Sequence, residues 1–139
     1  MALVHEFIIV SKDNAQKVIS YGTRPVIISD IIIRYINDSL QWICSFWNGG
    51  KSKKGISYYG YSIIEGEEIK KLKKIIMQWE KLFSLSPSEI CLTGDFLLDQ
   101  NRYEKNKIKK DCVIDELHSL VEMCEEAIKN NANILHSGI

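Results

Sequence analysis

The residues that come nearest to chemistry by type and spacing are Gly49-Gly50-Lys51-Ser52. A phosphate-binding loop reads G-x-x-x-x-G-K-[ST] between a strand and a helix, because backbone amides at the helix N-terminus hold the phosphate. Gly50-Lys51-Ser52 fits the end of that pattern, but its first glycine belongs at position 45, which is Ser45. The preceding residues have helical spacing, and Lys53-Lys54-Gly55 opens no apolar-periodic helix. Asn48 to Gly55 therefore reads as a loop without a phosphate role.

Histidine is the usual general base and a common metal ligand. His5, His118 and His136 read as scattered, with one near each terminus and one inside a helical pattern. Asp115 and His118 are spaced to pair on a helix surface, and no nucleophile signature accompanies them. Asp95 and Asp99 flank Phe96-Leu97-Leu98 at the end of a strand pattern. That position suits solvated charge, or contacts to a cationic partner. Cys44, Cys91, Cys112 and Cys124 lack any metal-ligand spacing and read as buried free thiols. Lys51, Lys53 and Lys54 lie near Tyr58, Tyr59 and Tyr61. Such a mixture suits stacked bases with phosphates, or a protein interface. No catalytic residue, metal or cofactor is expected from these patterns.

The elements that must position these groups are read from periodicity. His5 to Val10 is β-branched and apolar enough for a strand. Asn14 to Ser20 has the look of one or two helical turns ending near Gly22, and Pro25 blocks continuation. Ser29-Asp30 suits the cap of a long helix over about 30–46, with a strand over 26–35 as the rival. Ile56 to Ile64 reads as strand or extended chain. Glu67 to Leu85 is the clearest helix, with acids at its start and Pro87 closing it. Ile90 to Gly94 reads as a strand with room to extend to Leu97, Asp99 to Lys110 as a loop, and Asp111 as the cap of a last helix. Asn133 to Ile139 has room for a final short strand. The pattern predicts an α+β fold: one domain over residues 1–139, with about three helices packed on a small, mainly antiparallel sheet.

Composition narrows the function classes. With 45% hydrophobic and 26% charged residues and two prolines, the chain is globular rather than disordered or low in complexity. Its formal net charge of zero argues against a dedicated nucleic-acid binder, which needs a basic excess to neutralise phosphates. The start carries no signal-peptide pattern, and no apolar run approaches the ~20 residues of a membrane span. A cytoplasmic location without membrane contact is the expectation. The lysines at positions 70, 71, 73 and 74 and the acids of the last helix are spaced to pair across the fold or to form solvated faces.

Tyr59-Gly60-Tyr61-Ser62-Ile63-Ile64-Glu65-Gly66-Glu67, the helix with Trp79 and Leu82-Phe83, and Ser86-Pro87-Ser88-Glu89-Ile90-Cys91-Leu92-Thr93-Gly94 carry a resemblance, as does the end at Ile134-Leu135-His136-Ser137-Gly138-Ile139. These segments resemble small bacterial immunity proteins of contact-dependent growth inhibition and related polymorphic toxin systems. The resemblance covers roughly the C-terminal two-thirds of the chain. It implies a cytoplasmic protein that is not an enzyme, and that binds the C-terminal toxin domain of a larger effector and blocks its active or substrate surface. The neutral charge departs from the acidity common in immunity proteins against cationic nucleases. The expected contacts are Tyr58, Tyr59, Tyr61, Glu65, Glu67, Glu68, Asp95 and Asp99. The alternative is a small nucleic-acid-binding regulator using Lys51 to Lys54 and the tyrosines. A third reading, an enzyme completed by dimerisation, would use Asp95, His118 or Cys91.

Overall fold

A computed structural model describes residues 3–12 and 24–139. The helical turns expected over Asn14 to Ser20 lie outside the described residues. The described elements are β1 (Val4–Val10), β2 (Val26–Ser29), α1 (Asp30–Leu40), β3 (Cys44–Trp47), β4 (Ser52–Lys54), β5 (Tyr61–Ile64), α2 (Glu67–Phe83), β6 (Glu89–Leu97), β7 (Arg102–Lys109), α3 (Lys110–Lys129) and β8 (Asn133–Ser137). Six strands form one sheet in the order β2-β1-β8-β5-β3-β4, and β6 pairs with β7 in a separate hairpin. All these pairings are antiparallel. The fold is α+β, as the periodicity predicts. No helix of the described residues is long and apolar enough to cross a membrane.

Strand alternation sorts the large sheet into two faces. Phe7, Ile9, Ile28, Ile64 and Ile134 turn inward and join the core with the apolar stripes of the three helices. In α2 that stripe is Ile69, Leu72, Ile76 and Phe83, and burying each such side chain contributes about 1.5–3 kcal/mol. The last strand, β8, lies between β1 and β5, so the two ends of the chain meet in mid-sheet. Beyond β8, Gly138 N–H donates to the Gly60 carbonyl and Ile139 N–H to that of Tyr58. A Cβ at Gly138 would stand 2.1 Å from the Tyr58 carbonyl oxygen, which is backbone and cannot swing aside. Gly138→Ala is therefore expected to release this tail at a cost of about 1–3 kcal/mol. Amide exchange at Ile139 should accelerate, and protection equal to wild type would refute the account.

Three expected elements change. The helix expected to run to residue 46 stops at Leu40, and the chain re-enters the sheet as β3. Helical periodicity continues past Leu40, but Cys44 to Trp47 also alternates, with Ser45 inward and Phe46 outward, and pairing with β4 and β5 settles it as strand. The rival strand is confined to β2. The Asn48 to Gly55 loop is a hairpin turn followed by the short edge strand β4. Its two lysines suit an edge that must not recruit further strands. Asp99 to Lys110 is mostly strand: Glu104, Asn106 and Ile108 face inward on β7, and two polar residues at inward positions hid the alternation.

The α-helix starts also differ. Ser29 precedes α1 but makes no side-chain cap bond. Its hydroxyl and amide instead donate to Glu116, tying the β2–α1 junction to α3. α3 begins at Lys110, so Asp111 sits in its first turn rather than at the cap. The expected pairing of basic α2 with acidic α3 is realised at Lys73 and Glu125, 3.3 Å apart.

Candidate functional site

His5 and His136, read as scattered, are fully buried and in contact. β1 and β8 are neighbours in the sheet, and both side chains lie on its inner face. His5 Nδ1 stands 2.9 Å from His136 Nε2, and His5 Nε2 is 3.0 Å from Asp30 Oδ1. Asp30 opens α1 and is itself buried. It also accepts the Tyr58 hydroxyl proton at Oδ1. Arg34, one helical turn on, brings Nε to 3.1 Å from Asp30 Oδ2. That contact is ionic, because its direction is wrong for a hydrogen bond.

Proton positions follow from the partners. In a neutral His5, Asp30 as acceptor fixes the proton on Nε2, and Nδ1 then accepts from His136 Nε2–H. This leaves His136 Nδ1 as a buried lone pair with no donor among the described residues. Burial, helped by neighbouring His5, pulls the His136 pKa down to about 3. The ring is neutral at ordinary pH. Burial and the bond to Asp30 push the Tyr58 hydroxyl well above the usual tyrosine range, so it remains a donor. Partial burial works against the Arg34 charge, but Asp30 and Glu104 beside it outweigh that and raise its pKa.

Arg34 extends the network outward. Its Nη1 lies 3.3 Å from Asp95 Oδ2 and 3.2 Å from Glu104 Oε2, both on the β6–β7 hairpin. There Gly94 and Asp95 oppose Glu104 in a bulge, and Glu104 also accepts the Asp95 amide. A side chain at Gly94 would meet Glu104 at 2.4 Å, so glycine keeps that carboxylate within reach of Arg34. Beyond the bulge, Phe96 and Tyr103 stack edge to face at 5.0 Å, each about half exposed, and Leu98 in the turn is 87% exposed.

No protein-family model matches this chain, nor does any curated protein or solved structure.

The expected contact residues fall in three places. Tyr58 and Asp95 are joined through Asp30 and Arg34, a link invisible in the sequence. Tyr59 is 82% exposed beside Tyr58, and Tyr61 reaches over the Gly49 turn on the outer sheet face. Glu65, Glu67 and Glu68 lie at the other end of β5, about 13 Å along its four residues. Two of these acids hold the fold: Glu65 accepts from Asn133 and Glu68 from the Cys44 amide. Glu67 is paired with Lys70, which lowers its pKa. Asp99 sits exposed in the hairpin turn.

Other readings also change. His118 bridges Glu80 and Glu122 at 2.9 and 3.1 Å rather than Asp115, and Glu80 foremost raises its pKa. Cys44, Cys91 and Cys112 are exposed, and only Cys124 is buried, its thiol pushed up to about 12 by burial. Gly49 to Ser52 links two antiparallel strands, so no helix N-terminus stands behind it. Among the described residues no group of three His, Cys, Asp or Glu side chains is placed to hold a metal ion. Sequence reasoning missed Arg34 and the hairpin pair Phe96 and Tyr103. The one available signal was a charged residue four positions after Asp30 inside an apolar run.

Proposed function

We propose that this chain is a cytoplasmic immunity protein that neutralises a cognate bacterial toxin domain by stoichiometric binding, without chemistry of its own. The observation that carries this reading is the end of the β6–β7 hairpin. It exposes Phe96, Leu98 and Tyr103, with the exposed carboxylates Asp95 and Asp99 adjacent in the chain. Aromatic anchors beside carboxylates fit a cationic protein surface: the rings supply burial on binding, and the acids supply orientation and association rate. Arg34 braces the hairpin base against α1, so these groups are held in place before the partner arrives. Tyr59 and Tyr61 form a further part of the contact surface in this reading. The local phrases shared with immunity proteins support it, and they do so only as a resemblance.

The test is co-purification with the product of the adjacent upstream gene, together with protection of cells from that product. Tyr103→Ala is expected to weaken the complex by about 30-fold or more, as anchor truncations do. Asp95→Ala and Asp99→Ala should weaken it less, and more at low salt than at high. A complex indifferent to all three changes would remove the hairpin from the interface.

A second reading has its own support. Phe46 and Tyr61 are exposed on the outer sheet face with Lys54, while Lys53 lies over the Trp47 ring at 5.2 Å on the other face. Exposed rings beside lysines suit single-stranded nucleic acid. Such binding would fall steeply with salt. A gel shift at low salt that shows no complex would dispose of it.

A further inference from the structure

A trough runs between the C-terminal end of α1 and the solvent side of α2. It has a volume of about 340 Å³, and its apolar lining is Trp42, Ile75, Trp79 and Leu82. Trp42 is 63% exposed, and Leu82 is more than half exposed. At Trp79 the lining needs no polar ligand: the Trp79 indole N–H already donates to Ser39 Oγ at 2.8 Å, and Ser39 donates to the Ile36 carbonyl. The rim is basic. Lys74 and Gln78 line it, and Lys71 lies one turn before Ile75 on the same helix face. Lys70 and Lys73, on the same helix, are paired with Glu67 and Glu125. Among the described residues, Lys71 and Lys74 have no carboxylate within 4 Å, although Glu67 is near enough to Lys74 to feel its charge.

We propose that this trough is a docking site for an acidic amphipathic helix of a protein partner, with an apolar stripe on the apolar lining and flanking carboxylates on Lys71 and Lys74. The charge pattern selects the occupant: apolar lining, cationic rim, and an indole N–H on Trp42 without a protein acceptor among the described residues. A second copy of the chain fits poorly. Its acidic helix, α3, buries its own apolar stripe of Val113, Leu117, Leu120 and Cys124 in the core, so it has none left to offer. An anionic bilayer meets the same charges, and the vesicle arm of the test below separates it from a helix. The proposal does not depend on the toxin reading, because its test needs no toxin.

The experiment is a nitrogen-15 NMR titration of the full chain with a synthetic helical peptide of leucines at i, i+3, i+4 and i+7 flanked by glutamates. The indole signals of Trp42 and Trp79 should shift, with the amides of Lys74, Gln78 and Leu82, while the Trp47 indole stays put as an internal control. Lys71→Glu with Lys74→Glu, at two exposed positions, should keep the spectrum dispersed and weaken affinity about tenfold or more. Equal affinity for that double variant would overturn the proposal. So would equal binding of a peptide with serine in place of leucine, or shifts confined to other surfaces. Phosphatidylglycerol vesicles producing the shifts where the peptide does not would replace the helix with a membrane surface.

Discussion

Asp30→Ala is expected to lower the stability to unfolding by about 2–4 kcal/mol, because it removes the shared acceptor of two core hydrogen bonds together with the buried counter-charge of Arg34. Asp30 has three partners at once: His5, Tyr58 and Arg34. Its loss strands the His5 Nε2–H in the core and leaves Arg34 to the hairpin carboxylates alone. Asp30→Asn should cost less, about 1–3 kcal/mol, because the amide keeps an acceptor for His5 and Tyr58 but turns a donor toward the guanidinium. Tyr58→Phe removes one donor and no charge, and should cost about 1 kcal/mol. Urea unfolding of the three variants gives the order directly. A ranking with Tyr58→Phe as the worst, or Asp30→Ala within 1 kcal/mol of wild type, would contradict the network. Because the same network braces the hairpin, the proposed function also expects Asp30→Ala to weaken partner binding through Tyr103, although Asp30 itself is buried.

How much of this was legible depends on how local each signal is. The stripe of α2 repeats every three to four residues, so it reads directly, and β8 reads from its short apolar run. β7 did not, because Glu104 and Asn106 occupy its inward positions and serve Arg34 and the hairpin rather than an apolar core. The end of α1 was obscured for the opposite reason: Ile43 and Phe46 continue an apolar rhythm that belongs to two different elements. The contact between His5 and His136 spans 131 positions, and only the pairing of β1 with β8 creates it. No spacing rule reaches that far. The charges that interrupt the apolar run from Val26 to Ile36 were visible, but their meaning was not. Asp30 and Arg34 stand one turn apart because they share partners on other elements. Of the expected contact residues, Tyr59, Tyr61, Asp95 and Asp99 are exposed, whereas Glu65 and Glu68 are engaged in holding strand and helix ends.

Acid should destabilise the protein through His136, over a window set by its two pKa values. Unfolded, the ring takes a proton near 6.5, and folded, burial holds it down to about 3. Above pH 6.5 both states are neutral, and the full stability is present. As pH falls below 6.5 the unfolded state gains a proton that the native state refuses, so stability declines by about 1.4 kcal/mol per pH unit until the folded ring titrates. Between pH 6.5 and 4.5 the loss comes to about 2–3 kcal/mol. Other groups also contribute to acid stability, so the decisive quantity is a difference between two proteins. His136→Gln keeps an N–H to donate to His5 Nδ1 and cannot be protonated in this range. Its stability should fall less steeply than wild type by one proton's worth over the window, whatever its stability at neutral pH. Parallel curves for the two proteins would mean that His136 takes its proton in the folded state, and hence that the pair of buried histidines opens to water before the rest of the domain does. Amide exchange of His136 and Ile134 in β8 would then have to quicken below pH 6, which separates a locally opening sheet from one that resists acid until it unfolds as a whole.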